Sequence, residues 1–172
     1  MNNIFLTGEK QVGKSAIINK IIVDYNEKVC GFKTLLENTE YRRFYLESIS
    51  LNNRTTEKNY ISKRTEEGYT KGIIEAFDGF GTVILSECLA SSPSLIVMDE
   101  LGVFEKNAFL FQEMVYKCLD SAIPVLGVLK AKSSPFLDSI KNRKDVKIFY
   151  VNHDNRETQY KKVLESLKIY LS

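Results

Sequence analysis

The sequence predicts an α/β fold with a mainly parallel central sheet that is flanked by helices. Three observations support this class: short apolar runs recur between turn residues, segments with helical spacing separate them, and two further runs fit an antiparallel hairpin at one edge. The 172 residues most simply form one domain, residues 1–172, because a chain of this length removes roughly two thirds of its unfolded surface from water.

The regular elements are predicted from the spacing of apolar residues. The runs expected to form the parallel strands are residues 4–7, 95–99, Val125–Leu129 and 147–151. Apolar residues at helical spacing predict helices at Lys14–Tyr25, 73–89, 107–119 and 157–171. Residues 30–36 and 44–51 fit the two strands of the hairpin. Residues 52–72 are polar, charged and weakly patterned, so a mobile surface loop is expected there.

Composition limits the partners and the compartment. The 24 Lys and Arg residues nearly balance the 22 Asp and Glu residues, so we expect no broad surface for nucleic acid. Residues 1–5 lack the basic region of a leader, and no apolar stretch approaches the roughly 18–20 residues of a membrane span. We therefore expect a cytoplasmic protein that binds neither nucleic acid nor membrane. The sequence names no protein partner.

The three cysteines support the same compartment. Cys30, Cys88 and Cys118 are odd in number and far apart, without the close pairing of a zinc site or a small disulfide framework. We interpret them as three buried thiols in a reducing environment.

One motif predicts a phosphate site. Gly8-x-x-x-x-Gly13-Lys14-Ser15 follows a predicted strand and opens a predicted helix, which is the context expected of a P-loop. Glycines let the backbone N–H groups surround a phosphate, and the helix N-terminus adds positive potential. Lys14 would reach the β- and γ-phosphates, and the Ser15 hydroxyl would bind Mg²⁺. The predicted nucleotide-binding residues of this loop are Gly8, Glu9, Lys10, Gln11, Val12, Gly13, Lys14, Ser15 and Ala16.

A second motif predicts the opposite side of the metal site. The apolar run before Asp99 and Glu100 is typical of a buried strand, and ligands collect at the carboxyl ends of such strands. Asp99 would bind Mg²⁺ directly or through water. Glu100 would orient and deprotonate a water for attack on the γ-phosphate. Lys14 and Glu100 are thus the predicted catalytic residues.

These residues predict Mg²⁺-dependent hydrolysis of the γ-phosphate of nucleoside triphosphates. An acid that activates water favours hydrolysis over a kinase reaction, which must exclude water. Two alternatives remain open: a nucleotide or small-molecule kinase that uses residues 52–72 as acceptor site or lid, and a slow nucleotide-dependent switch that binds a partner. No Asn-Lys-x-Asp guanine motif is present, so loose base preference is expected.

Beyond these motifs, the chain resembles the small cancer-related nucleoside-triphosphatase family. The likeness is carried, in the family's order, by "FLTGEKQVGKS", "GFKT", "IVMDELGVFE" and "IKNRKDVKIFYVNHDNR". It implies a RecA-like P-loop NTPase fold and Mg²⁺-dependent hydrolysis of ATP, GTP and other nucleoside triphosphates. The chain departs from the family at residues 9–11, at Ser15, at Val103 and Phe104, and in "RRFYLESISL".

Auxiliary groups are predicted by analogy. Asn155 and Arg156 follow the last strand, where P-loop proteins often place a loop that contacts the nucleotide. A transferring phosphoryl group generally needs a cation besides Lys14 and Mg²⁺. The arginines considered for that role are Arg42, Arg43, Arg143 and Arg156, and His153 is expected at the surface or as a helix cap.

Overall fold

The computed structural model describes residues 3–25, 28–38, 40, 42–49 and 58–168. Its strands are β1 (Asn3–Thr7), β2 (Val29–Glu37), β3 (Arg43–Ser48), β4 (Asn59–Tyr60), β5 (Ser62–Arg64), β6 (Thr70–Gly72), β7 (Leu95–Leu101), β8 (Val125–Leu129) and β9 (Val146–Tyr150). Its helices are α1 (Lys14–Tyr25), α2 (Ile74–Ala76), α3 (Thr82–Ser91), α4 (Phe109–Asp120), α5 (Pro135–Lys141) and α6 (Arg156–Lys168), with a π-helical turn, Phe77–Gly81, between α2 and α3.

A seven-stranded sheet forms the centre of the molecule, in the order β4-β3-β2-β7-β8-β1-β9. The five strands from β2 to β9 in this order run parallel, and β3 and β4 extend the β2 edge in antiparallel fashion. The predicted α/β class and the hairpin at one edge are thus confirmed. Because the strands are parallel, the carboxyl ends of β1, β7 and β8 meet at one edge of the sheet, which we call the carboxyl edge.

Helices cover both faces of the sheet, with one hydrophobic core on each face. Successive residues of a strand pack into opposite cores. Ile4 and Leu6 pack in the core that includes α1 and α6, whereas Phe5, between them, packs with α3, α4 and α5. Side chains on a strand point alternately to opposite faces, so a strand buried on both faces must be apolar at every position. This explains why "NIFLT" and "LIVM" are almost continuous apolar runs.

The prediction of a mobile surface loop at residues 52–72 is wrong for residues 58–72, the part that the structure describes. Residues 59–72 contain β4 and a two-stranded hairpin, β5–β6, whose residue Gly72 packs against the backbone of Phe104. Strands of two or three residues are too short to show a period of two, so the pattern resembled a loop. Residues 52–57, the predicted strand end at Leu51 and the predicted helix end at Leu171 lie outside the described residues.

The prediction of three free thiols is wrong for two of them. Cys30 on β2 and Cys88 on α3 form a disulfide, while Cys118 is a free, buried thiol whose pKa is raised by burial to about 12. Folding brings the two Cα atoms to 5.5 Å, within bonding range, although 58 positions separate them in sequence. The thiols therefore no longer support the prediction of a reducing compartment. None of the helices in the described part of the chain has the length and apolar character that a bilayer crossing requires.

Candidate active site at the carboxyl edge

A six-residue loop joins β1 to α1, and its backbone conformation requires glycine at two positions. Gly8 has a φ of 142°, and a Cβ there would lie 2.1 Å from the backbone oxygen of Val151. Gly13 has a φ of 97°. A side chain is strained at both positions and has no room at the first. The loop therefore lies between a buried strand and a helix N-terminus, as the motif predicts.

Side-chain exposure divides the predicted nucleotide-binding residues of this loop. Val12 is buried in the core that includes α1 and α6, so only its backbone faces a ligand. The exposed side chains are Glu9, Lys10, Gln11, Ser15 and Ala16. Contacts from this loop would thus come mainly from backbone N–H groups, with Lys14 and Ser15 adding side-chain contacts.

Lys14 is the buried cation of the loop. Its Nζ donates to the backbone oxygen of Gly8 at 3.1 Å and also to that of Glu9. Burial lowers the pKa of Lys14, while the negative charges of Glu100 and Asp99 act in the opposite direction. A buried ammonium held only by carbonyl oxygens lacks an anion in direct contact, and a phosphate would supply one.

Ser15 and Asp99 are brought together from two elements that are 84 positions apart in sequence. The Ser15 Oγ donates to Asp99 Oδ1 at 3.1 Å. Asp99 is buried, and this burial raises its pKa to about 6, against the lowering effect of the Ser15 hydrogen bond. A hydroxyl and a carboxylate are oxygen ligands of the kind that Mg²⁺ prefers. Among residues 3–25, 28–38, 40, 42–49 and 58–168, no group of three or more His, Cys, Asp or Glu side chains could hold a metal alone.

Glu100 lies in an irregular part of β7. Met98 pairs with Gly127 and Leu101 with Leu129, so β7 has one extra residue where Asp99 and Glu100 lie. Such bulges turn side chains away from the regular alternation and often occur beside active sites. The Glu100 backbone N–H donates to Thr34 Oγ1 at 3.4 Å, in the "GFKT" segment. The bulge therefore lies where the two acidic residues, Asp99 and Glu100, reach the carboxyl edge.

Sequence reasoning missed two charged residues at this edge, Lys130 and Glu105. Lys130 Nζ lies 2.9 Å from Glu100 Oε1. Glu105 is buried, accepts a hydrogen bond from the Gly102 N–H, and has a pKa raised by burial to about 7. Lys130 directly follows the apolar strand β8, just as Asp99 ends the apolar run of β7, and that position was the available signal.

Of the four arginines considered for the extra cation, Arg156 lies against the phosphate loop. A Cβ on Gly13 would be 2.6 Å from Arg156 Cδ and 3.2 Å from its Nη1. Arg143 lies at the opposite edge of the sheet, paired with Asp120 and Asp145, so it cannot serve the predicted role from there. Arg42 is exposed, and Arg43 pairs with Glu37 and stacks on the Tyr60 ring at 3.9 Å.

The turn after β9 holds the other predicted contact. Asn155 Oδ1 accepts from the Asn152 N–H at 2.9 Å, and Asn155 Nδ2 donates to the Tyr150 oxygen at 3.0 Å. Asn155 thereby closes the turn that precedes Arg156. His153 is exposed within it, in agreement with the prediction.

A cleft of about 380 Å³ is lined in part by the segment that follows β7. It is lined by residues 69–72 and 74 on one side and by residues 103, 104, 106 and 107 on the other. The second set follows Glu100 within seven positions, so the cleft and the acidic pair share one segment of chain.

With this geometry in view, comparison with known proteins identifies the family. A family model described as NTPase matches residues 3–164. The chain belongs to the NTPase family. It is 30% identical to nucleoside-triphosphatase THEP1 of Thermotoga sp. (strain RQ2), over 96% of this chain and 95% of that protein. It is 26% identical to the cancer-related nucleoside-triphosphatase of Homo sapiens, over 90% of each.

Solved structures of this family share the fold. The crystal structure of THEP1 from the hyperthermophile Aquifex aeolicus matches with a TM-score of 0.78 and 19% identity, covering 96% of this chain and 98% of that one. The solution structure of a human cancer-related nucleoside triphosphatase matches with a TM-score of 0.73 and 23% identity, covering 97% of each. The predicted family and the predicted P-loop fold are both confirmed.

Proposed function

We propose that this protein hydrolyses nucleoside triphosphates to the diphosphate and inorganic phosphate. The observation that carries the proposal is the convergence of Lys14, the Ser15–Asp99 hydrogen bond and Glu100 at one edge of the sheet. Membership of the NTPase family and relatives named nucleoside-triphosphatases support it.

Nucleotide binding is assigned to the phosphate loop and the turn after β9. Backbone N–H groups of the loop would contact the phosphates, and Lys14 would exchange its carbonyl partners for β- and γ-phosphate oxygens. Arg156 would add a second contact from the far side of Gly13, with Asn155 holding its turn. The proposed nucleotide-binding residues are Gly8, Glu9, Lys10, Gln11, Val12, Gly13, Lys14, Ser15, Ala16, Asn155 and Arg156.

Ser15 and Asp99 fit a magnesium site. They offer one hydroxyl and one carboxylate, and Mg²⁺ is commonly held by one or two protein oxygens together with substrate phosphates and water. When bound, Mg²⁺ supplies positive charge to the β- and γ-phosphate oxygens. A bound cation would also favour the ionised form of Asp99, whose pKa burial raises to about 6.

Glu100 is proposed as the general base. A water attacks the γ-phosphorus, the bond from phosphorus to the β–γ bridging oxygen breaks, and the water proton passes to Glu100. The bridging oxygen leaves with its electron pair on the diphosphate. Lys14 stabilises the charge that develops on the transferring group. Because the guanine motif Asn-Lys-x-Asp is absent from the sequence, ATP, GTP and other triphosphates are proposed as substrates with loose base preference.

A kinase reaction is the second candidate, and the cleft of about 380 Å³ favours it. An acceptor molecule could bind there, on the chain segment that follows Glu100. Phosphoryl transfer to an added acceptor that is faster than phosphate release would establish this candidate in place of hydrolysis.

The test is a phosphate-release panel across ATP, GTP, CTP, UTP and their deoxy forms, with and without Mg²⁺. The proposal predicts release from several bases, dependence on Mg²⁺, and loss of release in Lys14→Ala. Wild-type protein that releases no phosphate from any of these nucleotides would refute it.

A further inference from the structure

Lys130 lies where the carboxyl ends of β7 and β8 meet. It follows β8, and its backbone N–H donates to the Leu101 oxygen at 3.0 Å, at the end of β7. Its Nζ is 2.9 Å from Glu100 Oε1, and the side chains of Lys130 and Glu100 are 22% and 26% exposed to solvent. This pair is therefore neither sealed in the core nor free in solvent, and a ligand can reach it.

Neighbouring residues fix the conformation of the Lys130 side chain. A Cβ on Gly102 would lie 2.9 Å from Lys130 Cδ and 3.4 Å from its Nζ, so the side chain crosses the space that the glycine leaves open. The ammonium lies 5.2 Å from the ring centroid of Phe104 and 5.8 Å from that of Phe44. Aromatic faces attract cations at these distances. Residues from two other segments of the chain thus surround the ammonium of Lys130.

A triphosphate would give Lys130 a second anionic partner besides Glu100. Lys130 follows β8, and Lys14 follows the loop after β1, the strand beside β8 in the sheet. Two lysines that face one site share a natural partner when a polyanion lies between them, and a triphosphate has its highest charge on the γ-phosphate. Glu100, the proposed base, is thus already held by a cation at 2.9 Å.

We propose that Lys130 is a further cation for the triphosphate, besides Lys14 and Arg156, and that it controls Glu100 by exchanging partners. In the nucleotide-free protein it pairs with Glu100. When a triphosphate binds, its ammonium contacts a γ-phosphate oxygen, and Glu100 is released to accept the proton of the attacking water. Bond making and breaking stay as described for hydrolysis, and Lys130 gives up no proton. This inference rests on the proposed function, and it assigns to a lysine the role that the sequence suggested for an arginine.

The exchange distinguishes a triphosphate from a diphosphate, whereas a purely structural Lys130 does not. If Lys130 contacts the γ-phosphate, removing its charge weakens binding of a triphosphate and leaves diphosphate binding unchanged. If Lys130 only fixes Glu100, both affinities change together or stay constant. The variant Lys130→Met suits the test because it removes the charge and keeps a long side chain over Gly102.

The experiment measures affinities of ADP and of an ATP analogue with a β,γ-methylene bridge by calorimetry in the presence of Mg²⁺. The proteins are the wild type, Lys130→Met, Glu100→Gln and the double variant. Lys117→Ala is the matched control, because Lys117 pairs with Glu113 at 2.8 Å on an exposed face of α4. The analogue cannot be hydrolysed at the bridge, so turnover does not distort the comparison.

The inference predicts that Lys130→Met loses about tenfold or more in affinity for the analogue and keeps its affinity for ADP. Glu100→Gln should bind the analogue more tightly than wild type, because no ion pair must break, and this gain should vanish in the double variant. Lys117→Ala should match wild type.

Two outcomes would overturn the inference. If Lys130→Met changes the two affinities alike or leaves both unchanged, or if the gain in Glu100→Gln persists in the double variant, Lys130 has no contact with the γ-phosphate. The proposed function survives either result. If wild-type protein binds neither nucleotide, the proposed function fails, and this inference fails with it.

Discussion

The two ends of the central sheet each hold a charged cluster, and the clusters differ in how their charges are satisfied. At the amino end, Arg143 Nε and Nη2 donate to the two oxygens of Asp145 at 2.9 and 2.7 Å, and Asn3 Nδ2 adds a bond at 3.0 Å. Arg143 lowers the pKa of Asp145. At the carboxyl edge, burial raises the pKa of both Asp99 and Glu105.

This difference separates a structural cluster from a ligand site. The charges at the amino end pair with one another, Arg143 with Asp145 and Asp120. At the carboxyl edge, Lys14, Asp99 and Glu105 are buried with hydrogen bonds to neutral groups, and burying a charge in this way costs stability. Perturbed carboxylates and a desolvated lysine at the ends of parallel strands are the features expected of a functional site. Variants at the two ends test this distinction, because it predicts different effects for each end.

The largest expected effect is on nucleotide binding. Lys14→Ala should reduce triphosphate affinity by roughly a hundredfold, because a charge-assisted contact to phosphate is lost. Arg143→Ala, at the other end of the sheet, should keep wild-type affinity. Calorimetric titration of both variants with the methylene-bridged ATP analogue checks this. Equal losses in the two variants would remove the distinction between the ends.

The next effect concerns Glu105 and the dependence of stability on pH. A carboxyl whose pKa is raised by folding favours the folded state when protonated, so its contribution is lost as the pH rises from about 4.5 toward 7. Glu105→Gln lacks this loss. Relative to wild type, its free energy of unfolding should therefore rise by roughly 3 kcal/mol between pH 4 and pH 8. Urea unfolding across that range measures it, and a constant difference would contradict the burial argument.

Asp145 should show the opposite pH dependence with a smaller amplitude. Its pKa is lowered in the folded protein, so its contribution is present above the unfolded pKa and is lost as the pH falls. Asp145→Asn should lower the free energy of unfolding by about 1 kcal/mol near neutral pH, since its ion pair is partly exposed. The deficit should shrink in urea unfolding toward pH 3. A deficit that grows as the pH falls would assign the cluster a different role.

The sequence predicts most of the fold where elements are long and patterned. The parallel strands, the helices at α1, α4 and α6, and the edge hairpin follow from apolar spacing. Helix α5 was missed although Ser134 caps it, accepting from the Leu137 N–H at 3.2 Å, and Pro135 opens it. A helix of seven residues offers too few turns for a periodic signal, so capping residues alone had to identify it.

The site divides in the same way. The phosphate loop and the Asp99–Glu100 pair are local motifs, so the sequence alone could nominate them as candidates. The contacts of Lys130 with Glu100, and of Arg156 with Gly13, join segments 30 and 143 positions apart. The Cys30–Cys88 disulfide likewise depends on the packing of α3 against the sheet. No local pattern specifies such contacts, which only the tertiary fold determines.

The central claim is that the carboxyl edge hydrolyses a nucleoside triphosphate with Glu100 as the base. Single-turnover phosphate release by wild type and Glu100→Gln, each saturated with ATP and Mg²⁺, tests it most directly. The account predicts that Glu100→Gln binds ATP at least as tightly as wild type and releases phosphate about 10² to 10⁴ times more slowly. Equal rates of phosphate release in the two proteins would contradict it.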